Sequence, residues 1–252
     1  MIPLVIFTSL FFCVGTVPLA TRHGPDGRIV GGSPANITNY PYQLSLEFFF
    51  MHSCGASIIG ANWAVTAAHC VEGLPPASVR LRAGSSTKGV GGTVHPASEV
   101  VMHPDYWDAD YDIAVIKVSE PFEFSDSVQP ISMSSVVPPT GTPVVVTGWG
   151  RLSTDGSSPS QLYQVLISVM DYDTCNSAYR EAGGLTTRMF CAGVPAGGKD
   201  SCNGDSGGPL MANGELSGIV SWGYDCGEAG FPGVYANVAV LKSWVTSVTG
   251  IE

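Results

Sequence analysis

A serine between small residues is the side chain of this sequence best suited to act as a nucleophile. Ser206 lies in the segment GDSGGP, residues 204–209. The two glycines after it leave the hydroxyl accessible and let backbone N–H groups come close to a substrate. A turn rich in glycine and serine would fit the same segment equally well. The segment therefore needs partners elsewhere in the chain before it indicates catalysis.

A histidine and an aspartate supply the two groups that a nucleophilic serine needs. His69 ends the segment WAVTAAH, and Asp112 begins the apolar run DIAVIKV. A serine hydroxyl is a weak nucleophile at neutral pH, so it needs a base with a pKa near 7, and histidine is the natural choice. The imidazole needs an acceptor on its other nitrogen, which the aspartate provides. Together the three residues predict covalent acyl transfer.

The order of these residues along the chain separates two hydrolase families. The segment around Ser206 also matches the GxSxG nucleophile elbow of α/β-hydrolases, in which the serine comes first and the histidine last. Chymotrypsin-like proteases have the order His, Asp, Ser, as this chain does. The predicted strands also lack the alternating helices of an α/β sheet. A lipase or esterase is therefore disfavoured.

The composition restricts the class of protein further. The 252 residues carry a formal net charge of −10 and contain no run of Lys and Arg, so nucleic acid is not an expected partner. Hydrophobic residues make up 44% and charged residues 13%, which predicts a folded chain. The length suffices for one large all-β domain or two smaller ones.

The first 20 residues are mostly apolar and contain no charged side chain. A transmembrane helix needs about 20 apolar residues, which this stretch barely provides. Gly15, Thr16, Pro18 and Ala20 fit the small-residue ending of a signal peptide better. We therefore expect residues 1–20 to be a cleaved signal peptide and the mature protein to be secreted, extracellular and free of a membrane anchor.

The cysteine count agrees with secretion. Cys13 would leave with the signal peptide, and an even number in the secreted remainder predicts disulfides, with the pairing left open by spacing alone. Zinc is the competing explanation, but the chain has no CxxC or HxxxH spacing. The remaining cysteines are Cys54, Cys70, Cys175, Cys191, Cys202 and Cys226.

Short runs of β-branched and aromatic residues, broken by turn residues, predict a β-sandwich or barrel. A segment rich in Pro and Ser, 132–139, is the expected linker between two lobes. Only the C-terminal end has a helical period, with Asn237 as its expected N-cap. The predicted strands are 42–50, 56–60, 113–118, 143–149, 216–222 and 233–238. The apolar face of the helix consists of Val240, Leu241, Trp244, Val245 and Val248.

Other polar residues are expected to have structural or solvated roles. Three aspartates just before Asp112 predict a solvated acidic loop, because no glycine-containing ligand loop accompanies them. They are Asp105, Asp108 and Asp110. Three histidines are expected in loops: His52, His95 and His103.

Seven motifs occur in the order found in trypsin-like serine proteases: IVGG, TAAHC, DIAVIKV, VTGWG, GKDSCNGDSGGP, SWG and FPGVYANV. Residues 29–252 resemble that family, and the pattern is most similar to invertebrate-type trypsins. The resemblance implies an all-β fold of two antiparallel six-stranded β-barrels and a C-terminal α-helix, with the active site between the barrels. The lobes would be about 29–135 and 136–252.

The resemblance also implies roles for individual residues. His69, Asp112 and Ser206 would be catalytic, and the backbone N–H groups of Gly204 and Ser206 would form the oxyanion hole. Asp200 would lie at the base of the primary pocket and select Lys or Arg. The other expected substrate-binding residues are Ser201, Ser221, Trp222, Gly223 and Gly233, of which Ser221 would also support Asp112.

Activation and disulfide pairing follow from the same resemblance. Residues 21–28 would be a pro-segment, and cleavage of Arg28–Ile29 would free an ammonium group that pairs with Asp205. The implied bridges are Cys54–Cys70, Cys175–Cys191 and Cys202–Cys226. No cofactor is expected. The loop at residues 82–92, which corresponds to the family's calcium loop, has no acidic residue.

The expected protein is thus a secreted, monomeric serine endopeptidase zymogen that cleaves after Lys or Arg. Its expected partners are protein or peptide substrates, protein protease inhibitors and an activating protease. Two alternatives stay open at this point. One is a catalytically inactive binding protein, although no catalytic residue is missing. The other is a regulatory protease of narrow specificity, which the short pro-segment and the lack of added domains disfavour.

Overall fold

The computed structural model describes residues 29–252. The predicted signal peptide (1–20) and pro-segment (21–28), including Arg28 and Cys13, lie outside the described residues. In residues 29–252, no helix has the length and apolar character needed to cross a membrane.

The described chain consists mainly of β-strands. The strands are β1 (Ser33–Pro34), β2 (Gln43–Phe48), β3 (Met51–Gly60), β4 (Trp63–Thr66), β5 (Val79–Ala83), β6 (Thr93–Met102), β7 (Ala114–Val118), β8 (Pro143–Gly148), β9 (Tyr163–Val169), β10 (Met189–Gly193), β11 (Pro209–Ala212), β12 (Glu215–Trp222) and β13 (Gly233–Asn237). The helices are α1 (Tyr172–Ala178) and α2 (Val238–Thr249), with 3₁₀ turns at Ile37–Asn39, Ala68–Cys70, Pro76–Ser78 and Arg180–Ala182.

The first barrel closes in the strand order β2-β3-β4-β7-β6-β5. Strand β5 shows why it forms, because Val79, Leu81 and Ala83 alternate with two arginines and only the apolar residues are buried. Its inward side chains join those of the neighbouring strands in one apolar core. The alternation fixes the register, since a slip of one residue would bury the arginines.

A buried carboxylate joins strands β2 and β5 of this barrel through ion pairs. Glu47 of β2 is fully buried and lies opposite Arg80 of β5. Arg80 and Arg82 contact its two carboxylate oxygens at 2.7 and 2.6 Å. A carboxylate is tolerated there because both oxygens accept charge-assisted hydrogen bonds.

The second barrel consists of β8, β9, β10, β13, β12 and β11, and the pairing of β8 with β9 closes it. The short strand β1 adds to the edge of β9. The side chain of Ile29 lies in the apolar core of this barrel with Val144, Val146 and Leu210. The predicted fold of two six-stranded antiparallel barrels is confirmed. Residues 119–142 connect β7 to β8, and the predicted linker 132–139 lies within this connection.

The C-terminal helix α2 is confirmed, with Asn237 at the N-cap position. Leu241 and Val245 are buried against the core of the first barrel, and Trp244 packs on that core. The prediction for Val240 is wrong, because this side chain is 43% exposed on the outer edge of the helix. The Asn237 side chain does not cap the helix.

Helix α1 was not predicted, because its sequence YDTCNSA has no apolar period. Only Cys175 of this helix is buried. The side chain of Asp171 caps the helix by accepting a hydrogen bond from the Thr174 N–H at 2.9 Å.

We expect Glu47→Gln to lower the free energy of unfolding by about 2 kcal/mol, because it removes charge-assisted hydrogen bonds from two partly buried arginines. The measurement is urea denaturation in a Ser206→Ala background, which prevents self-digestion. Glu99→Gln is the control, since Glu99 is exposed on β6. An equal loss in both variants would contradict the assignment.

Candidate active site

His69 and Asp112 are brought together where the first barrel faces the second. His69 lies in the 3₁₀ turn after β4, and the Cys54–Cys70 disulfide ties this turn to β3. Asp112 accepts hydrogen bonds from the His69 backbone N–H at 2.9 Å and from its Nδ1 at 2.8 Å. With the proton on Nδ1, Nε2 carries the lone pair that can accept a proton from a nucleophile. In the structure this atom lies 3.6 Å from Cys70 Sγ.

Asp112 is also held from the second barrel. Ser221, near the end of β12, donates its hydroxyl to Asp112 Oδ2 at 2.6 Å. The carboxylate is 1% exposed and accepts three hydrogen bonds from protein donors. A buried carboxylate needs such donors, because it has lost its hydration. The support that the sequence predicted from Ser221 is therefore present as a direct contact.

Ser206 lies in the loop before β11, and its backbone carbonyl accepts the Gly55 N–H at 2.7 Å. Gly55 follows Cys54, whose disulfide partner Cys70 adjoins His69. This hydrogen bond therefore anchors the serine loop next to the histidine turn. Gly207 has a φ of +75°, and a Cβ there would collide with Thr66 Oγ1 and with the Gly55 carbonyl. Only glycine fits at that position.

His52 anchors the backbone at the predicted oxyanion hole. Its Nε2 donates to the carbonyl of Gly204 at 2.9 Å, and its Nδ1 accepts from Ser45 Oγ at 2.8 Å. Burial lowers the pKa of His52 to about 4, so the ring is neutral and keeps its proton on Nε2. This role of His52 was not predicted, and its position two residues before Cys54 was the only signal in the sequence.

A cavity of about 270 Å³ adjoins Ser206. The residues predicted to bind substrate all line it: Asp200, Ser201, Ser221, Trp222, Gly223 and Gly233. The Cys202–Cys226 disulfide forms part of its wall. A Cβ on Gly233 would approach Asp200 Oδ1 to 2.6 Å, so a side chain there would block the path to the carboxylate.

Asp200 is 2% exposed at this cavity. It accepts backbone N–H groups of Ser201 at 2.8 Å and Gly227 at 3.1 Å. Burial raises the pKa of Asp200 to about 6, although these N–H donors oppose the shift. Among the ion pairs of residues 29–252, none involves this carboxylate. A cation entering the cavity would supply the missing charge.

Two tyrosines that the sequence analysis missed support the cavity wall. Tyr179 donates its hydroxyl to the Pro232 carbonyl at 2.7 Å, and its ring packs edge-on against Trp222. The Tyr235 hydroxyl lies 3.1 Å from Ser201 Oγ. Tyr179 stands outside the quoted motifs, and Tyr235 lies two residues after the predicted pocket residue Gly233. Both act from behind the wall.

Asp205 is fully buried next to the nucleophile. It accepts the N–H groups of Gly150 at 2.8 Å and Cys202 at 2.9 Å. Burial raises the pKa of this carboxyl to about 7 despite these donors. A Cβ on Gly148 or Gly150 would collide with the carboxylate.

Some assignments from the sequence are wrong. His52 and His95 lie in strands β3 and β6, not in loops, and His95 is buried between Thr93 Oγ1 and the Glu120 carbonyl. Asp110 is not a solvated loop acid, because it forms an ion pair with Arg188. His103 does lie outside the strands, where its ring stacks on Tyr111.

Within the described chain, one group of metal-ligating side chains lies close together: Cys54, His69 and Cys70. Its two sulfurs are joined in a disulfide, so they are not thiolate ligands. The other disulfides are Cys175–Cys191 and Cys202–Cys226. The two ends of the loop at residues 82–92, which has no acidic residue, are joined by Arg82, which donates to the Gly91 carbonyl at 2.7 Å.

The two barrels, and the histidine, aspartate and serine at their junction, define the chymotrypsin-fold class of serine proteases. A family profile described as Trypsin matches residues 29–245. Trypsin alpha of Drosophila melanogaster is 44% identical over 98% of each chain, and trypsin delta of the same organism is 43% identical over 98% of this chain and 99% of its own. A vitellin-degrading protease of Bombyx mori is 42% identical over 94% of this chain and 93% of its own. The chain belongs to the trypsin family and is a serine endopeptidase.

We expect the affinity for benzamidine, an aromatic cation, to be constant above pH 7 and to fall about tenfold per pH unit well below 6. Because the pKa of Asp200 is raised to about 6, protonation neutralises this carboxylate as the pH falls through that value. The measurement is calorimetric titration from pH 4.5 to 8. Asp200→Ser should bind weakly at every pH, and an unchanged pH profile in that variant would contradict the assignment.

Proposed function

We propose that this protein is a secreted serine endopeptidase, made as a zymogen, that cleaves peptide bonds after Lys or Arg. The observation that carries the proposal is Asp200, a buried carboxylate without a cationic partner at a cavity beside Ser206. A Lys or Arg side chain would complete its hydrogen bonds and charge, whereas an apolar side chain would leave it unpaired. The cavity therefore discriminates by charge as well as by size.

The proposed reaction begins with attack of Ser206 Oγ on the scissile carbonyl carbon. His69 Nε2 takes the hydroxyl proton as the bond forms, and Asp112 stabilises the resulting imidazolium. The carbonyl oxygen becomes an oxyanion that accepts the backbone N–H groups of Gly204 and Ser206. In related sites, one such donor lowers the barrier by about 3 kcal/mol.

The tetrahedral intermediate then collapses. The C–N bond breaks, His69 gives its proton to the leaving amine, and the acyl group stays on Ser206 as an ester. Water repeats the sequence, with His69 as base, and releases the carboxylic acid. Residues 221–223 border the cavity at the end of β12, where the backbone of an extended substrate would add as a strand.

Activation is proposed to act through Asp205. Cleavage of Arg28–Ile29 would create an ammonium group on a residue whose side chain is already buried in the second barrel. The raised pKa of Asp205, about 7, reflects its complete burial, which two N–H donors and the charge of Lys88 offset only in part. An ammonium there would stabilise the ionised form and so order the loop that carries Gly204 and Ser206.

The proposed location and partners follow from this chemistry. Residues 1–20 are proposed as the signal peptide, residues 21–28 as the pro-segment and residues 29–252 as the protease. Proteins or peptides are the substrates, and protein inhibitors and an activating protease are further partners. Three disulfides in the described chain agree with an oxidising, extracellular location.

The test is to cleave the protein at Arg28 and to assay short amide substrates that end in Arg, Lys, Tyr or Leu. We expect kcat/KM to be at least about a thousandfold higher for Arg and Lys than for Tyr and Leu, because only the cations pair with Asp200. Ser206→Ala is the control and should lose activity about 10⁶-fold. Activity on Tyr alone would contradict the specificity, and no activity at all would favour the inactive binding protein.

Arg28→Gln is expected to resist activation, because a trypsin-like activator would no longer recognise the site. Uncleaved, this variant should keep less than about one hundredth of the activity of the processed protein, since the oxyanion donors contribute that much. Cleavage is followed by N-terminal sequencing, which should give IVGG in the wild type alone. High activity in the uncleaved variant would contradict the zymogen proposal.

A further inference from the structure

Asp112 lies outside the paired strands of both barrels, so strand pairing does not set its own backbone conformation. The strand β7 starts at Ala114, so Asp112 precedes the first paired residue. Tyr111 has a φ of +52°, which is unfavourable for an aromatic residue. The Ile113 N–H donates to the Tyr111 carbonyl at 2.7 Å, so Asp112 is the centre of a tight turn. Backbone hydrogen bonds hold the two ends of the turn, at Asp110 through Trp107 and at the Ile113 carbonyl through the His103 N–H at 3.0 Å. Side-chain contacts must fix Tyr111 and Asp112 between these ends.

Arg188, just before β10 of the second barrel, reaches across to this turn. Its Nε donates to Asp110 Oδ1 at 3.1 Å and its Nη2 to Asp110 Oδ2 at 2.5 Å. Thr186 Oγ1 donates to the same carboxylate at 2.7 Å. Partial burial raises the pKa of Asp110, but these donors outweigh it, and the pKa lies below the ordinary value. Between residues 29 and 252, this is the only ion pair that joins the two barrels.

The same arginine also contacts the residue next to Asp112. Its guanidinium lies 4.6 Å from the centre of the Tyr111 ring. His103 stacks on Tyr111 with ring centres 4.5 Å apart, and Trp244 of α2 packs on His103 at 4.9 Å. Asp110 Oδ1 accepts the Tyr111 N–H at 3.0 Å. The unfavourable conformation of Tyr111 is thus held by contacts to both its side chain and its backbone.

We propose that Asp110, Tyr111 and Arg188 form an inter-barrel clasp that positions Asp112 for catalysis. The three are positioning residues, since none of the contacts described for them is with the reacting atoms. The clasp fixes the turn that carries Asp112 relative to the second barrel, which supplies both Ser221 and Ser206. The inference rests on the proposed catalytic roles of Asp112, His69 and Ser206.

Two features separate positioning from simple stabilisation. Both partners of the ion pair are about a quarter exposed, and such pairs add little to the free energy of unfolding. A small displacement of a catalytic group, in contrast, lowers the rate strongly. The clasp should therefore affect turnover more than stability, and it should leave the Asp200 cavity unchanged.

The experiment measures kcat and KM of the processed protein with a short Arg amide substrate. We expect Arg188→Ala and Asp110→Asn each to lower kcat about tenfold with KM and benzamidine affinity within twofold of wild type. The double variant should be no slower than either single one, because both remove the same contact. Arg188→Lys keeps the charge but not the two-point contact, so it should recover part of kcat.

Two controls match the change in charge. Asp105→Asn alters an exposed acid in the same loop, and Arg180→Ala removes an exposed arginine that takes part in none of the ion pairs found in residues 29–252. Both should keep kcat. Thermal denaturation of every variant excludes unfolding as the cause. If Arg188→Ala and Asp110→Asn keep kcat within twofold, or if the controls lose as much, the clasp is overturned.

A readout that does not depend on Lys or Arg specificity keeps the two proposals distinguishable. Diisopropyl fluorophosphate phosphorylates an activated serine and releases fluoride. It carries no cation for Asp200, so its labelling rate at Ser206 reports on activation of the nucleophile without a contribution from Lys or Arg recognition. The clasp variants should label about tenfold more slowly. Failure of the wild type to cleave after Lys or Arg would contradict the proposed specificity, while the labelling rates would still decide on the clasp.

Discussion

The carboxylate of Asp112 is a buried charge placed on the boundary between two barrels, and the arrangement of the site depends on how it is satisfied. Two of its hydrogen bonds come from His69 in the first barrel, and the third comes from Ser221 in the second. Leaving it short of a donor would cost the desolvation energy of a charged group. These donors therefore favour one relative position of the two barrels, and in that position the Ser206 carbonyl accepts the Gly55 N–H of the first barrel at 2.7 Å.

Three buried aspartates lie within this small region, and the donors around each indicate a different use. Asp112 has three protein donors and needs nothing more. Asp200 has backbone donors but no cation, and burial raises its pKa to about 6. Asp205 has two N–H donors, is fully buried, and has its pKa raised to about 7. The carboxylate of Asp200 faces the cavity, whereas that of Asp205 is enclosed by the glycines of the second barrel.

The sequence predicted those elements of the structure that depend on a residue pattern within a short segment. Alternating strands such as β5, the helix α2 and the glycine-serine loop at Ser206 each have a pattern within a few residues. Helix α1 was missed because its cap and its single buried cysteine leave no apolar period. The histidines His52 and His95 were predicted to lie in loops because turn or apolar residues flank them, and only their partners across the fold explain their roles.

The contact between Asp110 and Arg188 shows where prediction from sequence ends. The two residues are separated by 78 positions, and nothing near either one indicates the other. The sequence predicts Asp110 to be one of several solvated loop acids. In the fold, its carboxylate accepts hydrogen bonds from Arg188 and Thr186 of the second barrel. Long-range polar pairs have no period along the chain, so a single sequence contains no signal for them.

Apolar packing continues between the barrels in the interior, where Leu216, Ile219 and Ala236 of the second barrel join the core cluster of the first. The polar contacts at the rim of the junction have a separate physical reason. An endopeptidase must admit an extended polypeptide between its two halves, so the rim of the junction stays open to water and a continuous apolar seam is excluded there. Directional hydrogen bonds fix relative position in such a place better than apolar packing, because they fail when the partners shift by a fraction of an ångström. Deep in the junction, the buried Thr147 hydroxyl of the second barrel donates to Gln43 Oε1 of the first at 2.5 Å, and this hydrogen bond fixes the relative position there. At the partly exposed rim, the Asp110–Arg188 ion pair fixes the relative position of the barrels beside the turn that carries Asp112.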